Sequence, residues 1–253
     1  MKGAIKPDFT PFLLLSGKIY RSLTESRVLL YIIYAKERIS IMLSPKEHEQ
    51  KTAALMDGAV RSVALYGLEN ASTKTISACC GINEAYIYRY FESKEDLLAK
   101  TFEREDKLFL DMILDNFPVL SYESIDYEVR CRLLFMRCWK YVTGRPSELK
   151  FYMRYYHSLM YNTYSFVNHT KQYSILVDKL RSAFPAEGGG VELIMRHILD
   201  TLLTTALMYV SNPEGVDSDE VAEMNFKMIF SVVREFIDKN KLAAAATGKQ
   251  SGV

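Results

Sequence analysis

The residue types that build catalytic or metal centres are thinly spread in this 253-residue chain. Its four histidines, His48, His157, His169 and His197, form no triad or metal motif, and no glycine-rich loop is spaced to cradle a phosphate. Cys79, Cys80, Cys131 and Cys138 make no C-x-x-C pair and no Cys/His cluster at ligand spacing. No catalytic residue, metal or cofactor is therefore expected, and the thiols suit a reduced, cytoplasmic setting. Cys131 and Cys138, seven residues apart on one helix face, could sense oxidants or simply fill a core. The dense group is Glu84, Ala85, Tyr86, Tyr88 and Arg89. A carboxylate, a methyl, two phenols and a guanidinium on one short stretch offer the hydrogen bonds and apolar contacts that read base edges in a major groove.

Two short helices must position them. Ser72 or Thr73 can N-cap a helix whose apolar face is Ile76, Cys79 and Cys80 and which ends at Gly81. Asn83 caps the next, with Ile87, Tyr90 and Phe91 inward. A preceding helix, about Pro45 to Tyr66, carries Leu55/Met56, Ala59/Val60 and Val63/Ala64 at helical spacing and stops at Gly67. Packing the three together gives a helix-turn-helix pattern over 72–91, although an ordinary helical hairpin needs no DNA to explain the same spacing. Downstream, Ser93 with Asp96 resembles a capping box and opens a fourth helix to about Asn116, stopped by Pro118. The pattern predicts helices at about 123–143, 146–160 and 164–183, a turn at 185–190, and long amphipathic helices at 191–210 and 218–239 joined by Asn212-Pro213-Glu214-Gly215. The tail from Leu242 reads as disordered.

Residues 55–98, LMDGAVRSVALYGLENASTKTISACCGINEAYIYRYFESKEDLL, resemble the N-terminal domain of TetR-family transcriptional regulators without a gap. Asp57-x-Ala59, Gly67, Ile76, Gly81-Ile82, Tyr88-x-x-Phe91 and Ser93-Lys94-Glu95-x-Leu97-Leu98 carry the likeness. The resemblance implies an all-α fold: a three-helix helix-turn-helix DNA-binding domain at 45–92, then a helical ligand-binding and dimerisation domain at 93–240. Residues 1–44 form an unassigned extension and 241–253 the tail. It also implies roles. Ser72 and Thr73, with Lys74 beside them at the second helix's N-terminus, would hold a phosphate, Tyr88 would donate its hydroxyl to one, and Lys94 would pair with another. Asn83, Glu84, Ala85, Tyr86 and Arg89 would face bases or nearby backbone, Arg89 suiting guanine and Tyr86 a thymine methyl. Glu84 departs from the family, which commonly has a basic or small polar residue there; it should repel phosphates and could accept from a cytosine amino group.

The partners that follow are double-stranded operator DNA, a small-molecule effector and a second copy of the chain. The 123–143 helix is apolar nearly all round, through Val129, Leu133, Leu134, Phe135, Met136, Trp139 and Val142, and should run through the middle of its domain. With Phe135 and Trp139, the aromatic stretch Tyr152, Tyr155, Tyr156 and His157 could line a pocket for a flat hydrophobic or aromatic ligand, although such a stripe is also ordinary core. The last two helices would supply a homodimer interface through Leu199, Leu202, Leu203, Ala206, Leu207, Met224, Met228, Phe230, Val232 and Phe236. Ligand would shift the fourth helix, change the spacing of the two recognition helices and release the DNA.

Charge is balanced at +1 overall, and residues 46–94 hold six basic and six acidic side chains, so binding to one half-site alone should be weak and a palindromic operator is expected. The same balance leaves a helical ligand-binding or interaction protein with degenerate DNA binding as the alternative. No membrane segment is expected. Residues 1–44 hold a basic excess; either translation starts at Met42 and the stretch is not part of the natural product, or it is an arm that adds DNA contacts.

Overall fold

A computed structural model describes residues 45–183, 190–213, 215 and 217–248. The N-terminal extension, the 185–190 turn up to Gly189, and residues 249–253 lie outside the described residues. The chain divides into units Met1–Lys51 and Thr52–Val253, and of the first only the opening turns of one helix are described.

The described residues are helical, without strands. α1 (Pro45–Tyr66) starts on a proline, whose fixed φ suits a first helical position, and stops at Gly67 with φ +88°. α2 (Thr73–Cys80) is held at both ends by short-range chemistry. Ser72 and Thr75 form a reciprocal capping box, and Gly81 takes the left-handed conformation that ends the helix, donating its N–H to Ser77. The next helix is a tight 3-10 turn, Glu84–Tyr86, capped by Asn83, running into α3 (Ile87–Tyr90). Leu55, Ala59 and Val63 of α1 join Ile76, Ile87 and Phe91 in a fully buried core, continued by Leu97 and Leu98 of α4 (Lys94–Asn116). Each such side chain contributes roughly 1.5–3 kcal/mol of apolar burial. Ser93 caps α4 as expected, but Asp96 accepts from the Glu92 N–H at 2.9 Å, tying the entry strand rather than closing a capping box.

Behind α4 come a 3-10 turn (Phe117–Ser121), α5 (Tyr127–Thr143), α6 (Pro146–Tyr156), a π-helical turn (Tyr161–Ser165), α7 (Phe166–Ala183), α8 (Gly190–Ser211) and α9 (Ser218–Gly248). α8 packs on α5, α6, α7 and α9, and α4 on α5, α6 and α7. α6 ends sooner than its periodicity predicts. Ser158 donates its hydroxyl to the Tyr155 carbonyl and accepts the Tyr161 N–H, a local alternative to helical pairing, and the π turn then swings Tyr161 into the core. α5 is not enclosed on all sides. Phe135, Cys138, Trp139 and Val142 are buried, whereas Val129 and Leu133 are exposed. α9 is helical to Gly248, past Leu242 where composition predicts disorder; its Ala243–Ala246 run consists of the strongest helix former.

Among the described residues α8 alone is long and apolar enough to cross a bilayer, with 22 residues and mean hydropathy 1.3. Val191, Leu202, Leu203 and Ala206 are nevertheless buried in the chain's own core, and Glu192, Arg196, His197 and Asp200 occupy another face.

The crossing of α1 over α2 depends on Gly58. A Cβ there would lie 2.9 Å from both Cys80 Cβ and the Ile76 carbonyl oxygen. Gly58→Ala should therefore cost about 1–3 kcal/mol by overpacking, read as a lower urea midpoint with unchanged slope. An unchanged midpoint would show that the helices can separate freely.

Candidate functional site

The helix-turn-helix core turns one set of polar side chains outward. Ser72, Lys74, Asn83, Glu84, Ala85, Tyr88 and Arg89 are exposed, and Thr73, Tyr86 and Lys94 are half-buried. Ile87 is fully buried and Tyr88 is 56% exposed, whereas Tyr86, expected outward, is half-buried. The Arg89 guanidinium lies over the Tyr86 ring, 4.6 Å from its centroid, which restricts the arginine before any partner arrives. Ser72 uses its oxygen on the Thr75 N–H at 3.1 Å, and Asn83 likewise caps Ala85 at 2.9 Å. Lys94 stands at the start of α4, 3.7 Å from Glu95. The departure from expectation is at Thr73. Its hydroxyl donates to the Glu84 carboxylate, joining the N-terminus of α2 to the recognition turn and placing a negative charge where an incoming phosphate would meet the helix.

Buried charge connects this head to the helices behind it. Glu105 of α4 is 4% exposed and pairs with Arg104 at 2.8 Å and with Arg145, between α5 and α6, at 3.1 Å. Arg104 also reaches Asp57 of α1 at 2.8 Å, and Arg145 donates to the Tyr141 hydroxyl. A second tie runs from Arg154 of α6 to the carbonyls of Val63 and Ala64 at the end of α1, the latter at 3.0 Å.

One residue further along α4, Asp106 is 1% exposed and accepts from the Tyr152 hydroxyl at 2.8 Å; its other oxygen lies 2.9 Å from His169 Nδ1. The His169 ring stacks on Tyr173 with centroids 4.3 Å apart and meets Tyr156 and Tyr161 edge-on. Burial, then the neighbouring Tyr173 and Asp106, holds Tyr152 well above the usual phenol range, and burial, then the charge of Asp106, does the same for Tyr173, so both stay neutral. This cluster borders a cavity of about 300 Å³ between α4, α6, α7 and α8. A second cavity, about 130 Å³ and almost wholly apolar, lies between α4, α5, α7, α8 and α9.

The aromatic residues expected around a pocket divide among several places. Phe135 lines the apolar cavity, and Tyr152 and Tyr156 line the larger one. Trp139, Tyr155 and His157 line neither: the Trp139 indole N–H donates to Ser218 at 3.1 Å, the Tyr155 hydroxyl pairs with Ser165 at 3.1 Å, and His157 is exposed beyond the end of α6. Tyr161, of the same aromatic stretch, lines the larger cavity too, and Asp106, His169, Tyr173 and Arg196 lie outside the sequence expectation. Their signal is faint: Phe102, Glu105, Asp106 and Phe109 share one face of α4 by spacing, which is where a buried carboxylate would stand. Cys131 and Cys138 also line the apolar cavity. Burial raises both thiols, Cys138 to about 12, which leaves little thiolate for oxidation and favours the packing role.

Removing the Glu105 carboxylate takes from Arg104 and Arg145 their shared buried partner, leaving them Asp57 and Glu148. Glu105→Ala should cost about 3 kcal/mol, the low end for a buried pair because both arginines keep some solvent, measured by chemical denaturation. A change within experimental error would mean that the network is incidental to stability.

Residues 55–101 match the family model described as bacterial regulatory proteins, tetR family. No curated protein sequence matches the chain. Among solved structures, a TetR family transcription regulator from Marinobacter aquaeolei VT8 is similar at TM-score 0.57 and 21% identity, covering 74% of this chain and 97% of that one. A putative TetR family regulator from Shewanella sp. PV-4 matches at TM-score 0.57 and 18% identity over 72% and 97% of the respective chains. The transcriptional regulator FadR from Bacillus subtilis, solved in complex with stearoyl-CoA, matches at TM-score 0.55 and 19% identity over 70% and 96%. Residues 55–101 thus match the tetR-family model, and the helices behind them are arranged as in these regulators.

Proposed function

We propose that the chain is a cytoplasmic, homodimeric repressor that binds a palindromic operator and is released from it by a small-molecule effector. The observation that carries this reading is the outward set Ser72–Arg89 on a core fixed by its own caps, which supports a preformed DNA-reading surface. Ser72, Lys74, Tyr88 and Lys94 contact phosphates in this reading; Asn83, Ala85, Tyr86 and Arg89 face the groove, with Arg89 held against Tyr86 for a bidentate contact to guanine. Glu84, anchored by Thr73, accepts from a base amino group.

The homodimer forms through α8 and α9. Leu202, Leu203, Ala206 and Phe230 are already buried within one chain, so the contact falls to the exposed Met224, Met228 and Val232 of α9 with Leu193 and Met208 of α8. The domains in this reading are those drawn from the sequence: a DNA-binding domain at 45–92 and a sensor and dimer domain from 93 onward. Effector in the cavities beside Asp106 displaces α4, which carries Arg104 and hence its tie to Asp57 of α1. The two recognition helices then lose the spacing that successive major grooves require. The FadR match, solved with stearoyl-CoA, supports a fold of this kind that can accept a ligand with a long acyl chain.

A second reading is a ligand-binding protein with degenerate operator binding. It is favoured by the Glu84 carboxylate at the N-terminus of α2. Selection of genomic fragments by the purified full chain at one stated salt concentration, with footprinting, separates the two. The regulator reading expects a protected palindrome that Tyr88→Ala loses, and Arg89→Ala should cost about 1–3 kcal/mol while relaxing one base position. Folded, dimeric protein that enriches no fragment, but binds DNA tightly as Glu84→Lys, would establish the degenerate reading.

A further inference from the structure

Two cavities of unlike chemistry share a wall. The larger, about 300 Å³, is edged by tyrosines, His169 and the charged side chains Glu192, Arg196 and Asp200 of α8. The smaller, about 130 Å³, presents almost only carbon, from residues such as Phe135, Ile198 and Phe226. Met195 and Leu199, one turn apart on α8, line both. Methionine is unbranched and soft, so this partition can open by side-chain rotation while the backbone of α8 stays in place. A cavity of about 150 Å³ with comparable walls accommodates benzene, so the smaller space suits a hydrocarbon of roughly six carbons. A ligand that fills both spaces is apolar at one end and polar at the other.

The polar end can be characterised from its walls. Glu192 is engaged by Arg181. Asp106, behind His169, is already satisfied by the Tyr152 hydroxyl and His169 Nδ1. Arg196 makes no ion pair among the described residues. Burial raises both phenols, with Asp200 adding at Tyr156 and Tyr156 and Asp106 adding at Tyr161, while the Arg196 charge acts against the rise at both. The two phenols are neutral and hydrogen-bonded to each other, Tyr161 donating, which leaves the Tyr156 hydroxyl proton beside an uncommitted guanidinium for a carboxylate. Asp200, one turn along α8, opposes an anion and is the residue whose removal should help one.

We propose that the two cavities are the head and tail subsites of one site for an amphipathic carboxylic acid, its carboxylate on Arg196 beside Tyr156 and Tyr161 and its hydrocarbon past Met195 and Leu199 against Phe135. The assignment rests on the effector reading of these cavities and is independent of operator binding. The single tryptophan reports on the tail, because the Trp139 ring packs on Phe135 with centroids 6.4 Å apart.

Titrating the full chain without DNA with decanoate, decan-1-ol and decyltrimethylammonium, and following Trp139 emission with calorimetry alongside, tests it. Decanoate should bind roughly tenfold or more tightly than the other two, the worth of a charge-assisted contact. Arg196→Gln, on the exposed edge of α8, should remove that advantage while leaving decan-1-ol unchanged, and Asp200→Asn should strengthen decanoate. Preference for the ammonium, equal binding of all three with Arg196→Gln inert, or no binding by any of them overturns the proposal. Footprinting in parallel keeps the readings apart: decanoate bound with the footprint intact removes effector release alone, whereas an operator footprint without decanoate binding removes this assignment alone.

Discussion

Two neighbouring carboxylates in the middle of α4 have to be neutralised from opposite directions, and much of the arrangement around them follows. Glu105 turns toward Arg104 and Arg145, and Asp106 toward Tyr152 and His169. An isolated ionised carboxylate in a protein interior is costly enough that it protonates or the fold rearranges, so each must keep its partners. Those partners come from the α5–α6 junction, α6 and α7, which fixes how these elements sit on α4. Phe102 and Phe109, on the same face, then stack with Tyr152, Tyr155 and Tyr141. α4 thereby becomes a common spine whose N-terminal turns complete the helix-turn-helix core and whose middle borders the larger cavity.

The reading head itself is built almost entirely from contacts a few residues apart. Its stiffness comes from caps at Ser72, Asn83 and Ser93, from the left-handed Gly81, and from the stack of Arg89 on Tyr86. The Thr73–Glu84 bond adds a contact within the head, and gives this chain a recognition surface with an acceptor where basic residues are commoner. A surface of balanced charge draws less of its affinity from counterion release and more from matched contacts. In the proposed dimer two such surfaces act together, and Met224 and Met228 of α9 are exposed.

The division between what was legible in the sequence and what was not follows sequence separation. Capping residues, Gly81, the buried Ile76, Ile87 and Phe91, and the outward Tyr88 and Arg89 depend on periodicity and turn chemistry inside one short window, and they stand where that chemistry puts them. The cavities do not depend on local signals. Asp106 meets His169 across 63 residues and Glu105 meets Arg145 across 40, and the run Glu103 to Lys107 has the composition of a solvated face. Aromatic content does not give the cavity lining: Tyr152 and Tyr156 face the larger cavity, whereas Trp139 and Tyr155 spend their polar atoms on Ser218 and Ser165. The break at Ser158 and the π turn after it, which aim Tyr161 inward, arise from side-chain competition that apolar periodicity does not register.

If α4 couples the two halves of the molecule, a disturbance at Asp106 reaches the helix-turn-helix through Arg104 and Asp57. Hydrogen exchange on the full chain, comparing the native protein with Asp106→Asn in the absence of ligand or DNA, tests it most directly. The account expects protection to fall in α7 around His169 and also in α1 around Asp57, the helix that Arg104 holds. Loss of protection confined to α6 and α7, with α1 unchanged, would contradict it.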